Sequence, residues 1–156
     1  MKHSSKLFIL CLSCLTLLSA FLFSGCNSAP SYTDGSYHAE FQNFDSNGWK
    51  EFIDVTIKDG KPEKVVMDAV NQAGDLKSAD QEYNDLMKNY SDTYPAKFYQ
   101  DLATQFLERQ DPAKIDAVAG ATLSSDNFKK LLAELKPYMV AGITDDVVLQ
   151  SSSDNA

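Results

Sequence analysis

Two apolar runs flank Asp59-Gly60: Phe52, Ile53, Val55 and Ile57 come before it, and Val65, Val66, Met67 and Val70 follow. A reversal that needs positive φ at both central positions suits the twist of antiparallel strands, and Asp-Gly adopts it readily. The stretch from Trp49 to Val70 therefore predicts a β-hairpin. Upstream, "DGSYHAEFQ" alternates Tyr37, Ala39 and Phe41 against His38 and Glu40. That is the pattern of a half-buried strand entered by a turn at Asp34-Gly35.

Beyond the hairpin the period changes from two to that of a helix. Tyr83, Leu86, Met87 and Tyr90 share one helical face, and Ser78 with Gln81 forms a candidate capping box in front of it. A second helix is expected from Pro95, with Phe98, Leu102 and Phe106 as its apolar stripe and Asp111-Pro112 as its stop. "KIDAV" reads as a short extended piece. A third helix carries Phe128, Leu131, Leu132 and Leu135, with Ser124 or Ser125 as N-cap and Pro137 ending or kinking it. Strands first and helices afterward predict an α+β fold: a small antiparallel sheet packed against about three helices.

The chain ends have other tasks. Lys2 and Lys6 precede an apolar run, Leu7 to Phe23, that is short for a membrane span and broken by Ser13, Thr16 and Ser19. It leads to Phe23-Ser24-Gly25-Cys26, which resembles a bacterial lipoprotein signal, although Phe23 stands where that family usually has Leu. The resemblance implies removal of residues 1–25 and lipidation of Cys26, and acyl chains contribute about 0.8 kcal/mol per buried methylene. With Cys11 and Cys14 gone, no thiol remains for a disulfide. Maturation leaves 12 basic and 22 acidic residues, a formal charge of −10. So acidic a domain is not expected to bind nucleic acid, and its membrane affinity must come from lipid. The expected organisation is a signal over 1–25, a tether over 26–33, one domain over 34–139 and a frayed tail over 140–156.

"DAVAGATLSSDNFKKL", Asp116 to Leu131, strips its side chains nearly to nothing around one hydroxyl. Ala119, Gly120 and Ala121 leave room for a close approach to Thr122, and the start of a helix favours an anion. Ser124 and Ser125 add candidate donors. Two readings follow from the residues alone: an anion cradle beside a candidate attachment oxygen, or a tight strand-to-helix turn that happens to contain threonine.

Asp116 to Thr122, "DAVAGAT", resembles the flavinylation motif of the FMN-binding domain family, found in subunits of the sodium-pumping NADH–quinone reductase, in Rnf complexes and in small bacterial lipoproteins. "DGSYHAEF", "NGWKEFIDVTIKDGKPEKVV", "GDLKSADQEYNDLMK" and "LLAEL" resemble family segments in the same order, extending the likeness over residues 34–136. The resemblance implies FMN joined by a phosphoester to Thr122, installed by a separate Mg-dependent flavin transferase. Gly120 and Ala121 match the small pair and Asp116 the preceding aspartate, which assists attachment or braces the turn. Ala119 replaces a frequent serine, removing one phosphate donor.

Trp49 is a candidate to stack on the flavin ring, and Tyr83 with Met87 either cover it or belong to the core. Asp68 and Asp80 read as surface or capping acids. His38, in a strand pattern, lacks companions for a metal site, so no permanent metal is expected. No carboxylate pair or nucleophile–base set marks a catalytic site. The resulting expectation is a lipid-anchored, extracytoplasmic electron carrier, passing electrons from a membrane redox donor to an extracytoplasmic acceptor. A flavin-dependent reductase of a small acceptor and a non-redox ligand- or partner-binding lipoprotein are the alternatives.

Overall fold

The computed structural model describes residues 31–150; the expected signal segment and Cys26 lie outside them. The predicted hairpin forms as β2 (Lys50–Lys58) and β3 (Lys61–Val70). Asp59 (φ 52°) and Gly60 (φ 74°) make its turn. The first strand, β1 (Gly35–Phe41), pairs antiparallel with β2. Its Tyr37, Ala39 and Phe41 join Ile53, Val55, Ile57, Val65, Met67 and Ala69 on one buried face. β3 is an edge strand, which is why Pro62 is tolerated there without loss of a central ladder bond.

Three helices follow. α1 spans Gln81–Lys88, α2 Pro95–Arg109 and α3 Thr122–Ala141. α2 lies on β3 and α3 on β1 and β2, so both cover the apolar face of the sheet. Phe98, Leu102 and Phe106 from α2 and Phe128, Leu131, Leu132 and Leu135 from α3 are buried, as their helical spacing predicts. The architecture is α+β, as expected. No helix among the described residues is long and apolar enough to cross a membrane.

Several local expectations are corrected. The region beyond residue 140 is not all frayed: Val147–Leu149 form β4, which pairs parallel to β1 and makes the sheet mixed, in the order β3-β2-β1-β4. β1 would otherwise present an open edge, and three residues suffice to bury Val147 and Leu149 over it. Nor does the tether reach residue 33. Tyr32 is a core residue whose hydroxyl donates to the Gln110 carbonyl at 2.9 Å, and Thr33 donates through its amide to Met139 at 2.8 Å. Of the two effects expected of Pro137, ending the helix is excluded: α3 runs on to Ala141 and closes on left-handed Gly142.

The Ser78–Gln81 capping box does not form. Asp80 caps α1, accepting from the Tyr83 amide at 2.9 Å, while the Ser78 hydroxyl donates to Asp68. Asp68 is thus no surface acid. It is buried and also accepts from the amides of Ala69 (2.8 Å) and Ser78 (3.1 Å). The expected apolar face of α1 is only partly a core face: Met87 packs against the core, but the helix stops at Lys88, leaving Tyr90 85% exposed, and Leu86 is 52% exposed. Asn84 is the buried residue of α1. Its side-chain amide donates to the carbonyls of Ser78 and Asp80, and its oxygen accepts from Ala96.

Candidate functional site

α3 begins at Thr122, with Ala121 as N-cap and no side chain capping it. The first intrahelical bond is Ser125 to the Ala121 carbonyl at 2.9 Å, so the amides of Thr122, Leu123 and Ser124 precede the helical ladder. Thr122 is exposed, and it opens on a cleft of about 380 Å3 between the start of α3, the loop before β2, and the segment that carries α1. That volume lies within the roughly 300–1,000 Å3 of small-ligand sites.

The cleft unites residues far apart in sequence. Trp49, Gly120, Ala121, Thr122 and Ser124 line it together with Tyr83 and Met87. Met87 also packs against the core, as one of its two readings has it. Trp49 is placed by an Asx turn in which Asp45 accepts from the Asn47 and Trp49 amides at 2.8 and 2.9 Å.

Three predicted residues lie outside the cleft lining. Ser125 is fully buried; its hydroxyl donates to Ala121 and accepts from the Val118 amide, bracing the turn. It is neither the N-cap nor a cleft donor. Asp116 lies outside the cleft lining, paired at 2.7 Å with Arg109, and its backbone is stitched to Gln105 on α2. Ala119 is exposed and also stands apart from the lining. Ser124 reaches the cleft, but it too is not an N-cap, and its hydroxyl proton is committed to Glu51 at 2.6 Å.

Gly120 is required for a reason the sequence did not disclose. Its φ is +79°, and a Cβ there would stand 2.5 Å from Ser91 Oγ and 3.0 Å from Thr93 Cγ2. The space left by the missing side chain is filled by the segment after α1. Gly120→Ala is therefore expected to destabilise the domain by about 1–3 kcal/mol, read as a lower urea midpoint. An unchanged midpoint would show that this packing is dispensable.

Besides Asp45, two charged cleft residues escaped the sequence reading. Glu51 is only 8% exposed, and its carboxylate accepts from Tyr99 Oη at 3.0 Å, Ser124 Oγ at 2.6 Å and Asn127 Nδ2 at 2.7 Å. Burial and the adjacent Glu51 carboxylate push the Tyr99 phenol well above its ordinary value, so it remains a donor. Glu51 was detectable in principle, because it is in phase with Ile53, Val55 and Ile57 on the inward side of β2. Lys77 is the other, lying over the rings of Trp49 (5.7 Å) and Tyr83 (5.2 Å). Nothing in its local pattern marks it.

On the sheet, His38 pairs with Asp54 at 2.8 Å. No group of three or more His, Cys, Asp or Glu among the described residues is placed to hold a metal ion.

This fold and cleft define a class of small α+β domain that presents an exposed threonine, at an uncapped helix start, to a ligand-sized space. No protein-family model matches the chain. It is 41% identical over 124 residues to the 15 kDa lipoprotein of Treponema pallidum (strain Nichols), covering 80% of this chain and 82% of that one. The crystal structure of the CPE2226 protein of Clostridium perfringens is similar at 29% identity with a TM-score of 0.74, over 78% of this chain and 99% of that one. The chain belongs to the family of the treponemal 15 kDa lipoprotein.

Proposed function

We propose that this protein is a lipid-anchored, extracytoplasmic electron carrier whose FMN is esterified through its phosphate to Thr122. The observation that carries this reading is the setting of Thr122: exposed, at an uncapped helix start, on the wall of a cleft with aromatic lining. The residues fit the group. Free amides at the helix start suit a phosphate, Trp49, Tyr83 and Met87 offer an apolar and aromatic wall for a flat ring, and Lys77 adds a positive charge. Bound flavin would supply the redox chemistry, while the chain holds and orients it.

The anchor rests on Cys26 and on the likeness to a lipoprotein. A covalent link keeps the cofactor from diffusing away outside the cytoplasm. Its attachment calls for a Mg-dependent flavin transferase, and its turnover for a membrane redox donor and an extracytoplasmic acceptor. No permanent metal and no nucleic-acid partner form part of this reading.

Co-expression with a flavin transferase tests it. The purified protein is expected to be yellow after denaturation, with in-gel flavin fluorescence and an intact mass raised by one FMN. A colourless protein of unmodified mass would instead favour the non-redox lipoprotein. Saturable turnover of a small acceptor by the loaded domain would favour a reductase working in the same cleft.

A further inference from the structure

Among the described residues, Lys77 is the single lysine or arginine that lines the cleft, and none of their carboxylates pairs with it. The residue is 8% exposed. An ammonium held in such a partly enclosed place attracts a negative partner more strongly than one in open water. The two carboxylates that share the cleft are occupied elsewhere: Asp45 holds the turn before Trp49, and Glu51 accepts from Tyr99, Ser124 and Asn127. The ammonium instead lies against the faces of Trp49 and Tyr83.

The backbone beside this cation is fixed from both sides. Lys77–Ala79 form a 3-10 turn, and Asp68 accepts from the amide and the hydroxyl of Ser78. Asn84 donates to the Ser78 carbonyl at 2.8 Å. A buried polar network thus holds an unpaired charge toward a ligand-sized space, an arrangement suited to a ligand that brings the missing negative charge.

We propose that Lys77 sets the reduction potential of the site by pairing with the negative charge that the flavin ring acquires on reduction, an inference resting on the assignment of FMN to Thr122. Uptake of two electrons and one proton leaves the ring one unit more negative than before. A cation in a partly desolvated cleft stabilises that form over the oxidised one and raises the potential. The phosphate has the same charge in both redox states, so a lysine serving the phosphate would affect loading and leave the potential almost unchanged. The uncapped amides of α3 already provide for the phosphate, whereas Lys77 lies on the aromatic wall.

The test is a dithionite titration at pH 7, followed by absorbance against redox dyes, on flavin-loaded wild type, Lys77→Met and Lys77→Arg. In Lys77→Met the equilibrium constant for reduction is expected to fall at least about tenfold, which is about 30 mV for a two-electron couple. Lys77→Arg should recover most of the difference, because it keeps the charge. Should the Met variant fold poorly, Lys77→Gln carries the same measurement. An unchanged potential at full flavin content overturns the inference, as does failure of the neutral variants to accept flavin, which would assign the lysine to attachment. Colourless wild-type protein would instead defeat the assignment of FMN.

Discussion

Thr122→Val protein, made alongside a flavin transferase, is expected to emerge colourless, at unmodified mass, and folded. Valine keeps the branched shape of threonine and removes only the hydroxyl, the one atom to which a phosphoester can be joined. The side chain is exposed at the first position of α3 and donates no hydrogen bond that caps the helix, so folding loses little. Surface changes of this kind usually stay within about 0.5 kcal/mol. The expected effect on flavin content is complete loss. Thr122→Ser should retain some flavin, since it restores an oxygen at the same place. Covalent flavin persisting in the valine variant would move the attachment point elsewhere and sink the proposed function.

The second large effect is expected on stability. Glu51→Ala removes one acceptor group that three donors share. Ser124 and Asn127 are partly exposed and can turn to water, but the Tyr99 hydroxyl is buried and is left without its acceptor. A buried donor deprived of a charged partner, with the void left by the shortened side chain, should cost about 2–4 kcal/mol. Urea denaturation of the flavin-free protein measures it directly. Glu51→Gln keeps one acceptor oxygen and should lose less. The loss should also spread to the cleft, because Glu51 ties β2 to the first turn of α3, where Thr122 begins the helix. An alanine variant as stable as the wild type would mean that water replaces the carboxylate without cost.

Both predictions concern one small region, yet its parts were unequally visible in the chain. Thr122 stood out because its neighbours are so small, and Trp49 because it is the sole tryptophan. The role of Gly120 was visible only as a bareness, whose cause is the Ser91–Thr93 segment pressed against it. Ser125 looked like a phosphate donor and proved to be the brace of the turn. Asp116 read as an aid to attachment or a brace of the turn, and it is tied to Arg109 at the end of α2. In each case the local pattern announced that something constrains the residue without naming the partner.

The same division runs through the fold. Alternation along β1 and β2, the Asp59-Gly60 reversal and the apolar stripes of α2 and α3 are statements about near neighbours, and a repeat of two or 3.6 residues carries them completely. Those elements could be read directly from the chain, and with them the α+β class. The three-residue strand at Val147–Leu149 could not, because its stability comes from the free edge of β1, over a hundred residues earlier. The cleft has the same character. Glu51, Lys77, Thr122 and Asn127 meet only after the sheet has formed and two helices have closed over it. Sequence by itself determined the apolar faces of β1, β2, α2 and α3 and which hydroxyl stands bare at a helix start. Only the tertiary structure decided which charges surround that hydroxyl, since burial and pairing depend on distances in space that no local spacing encodes.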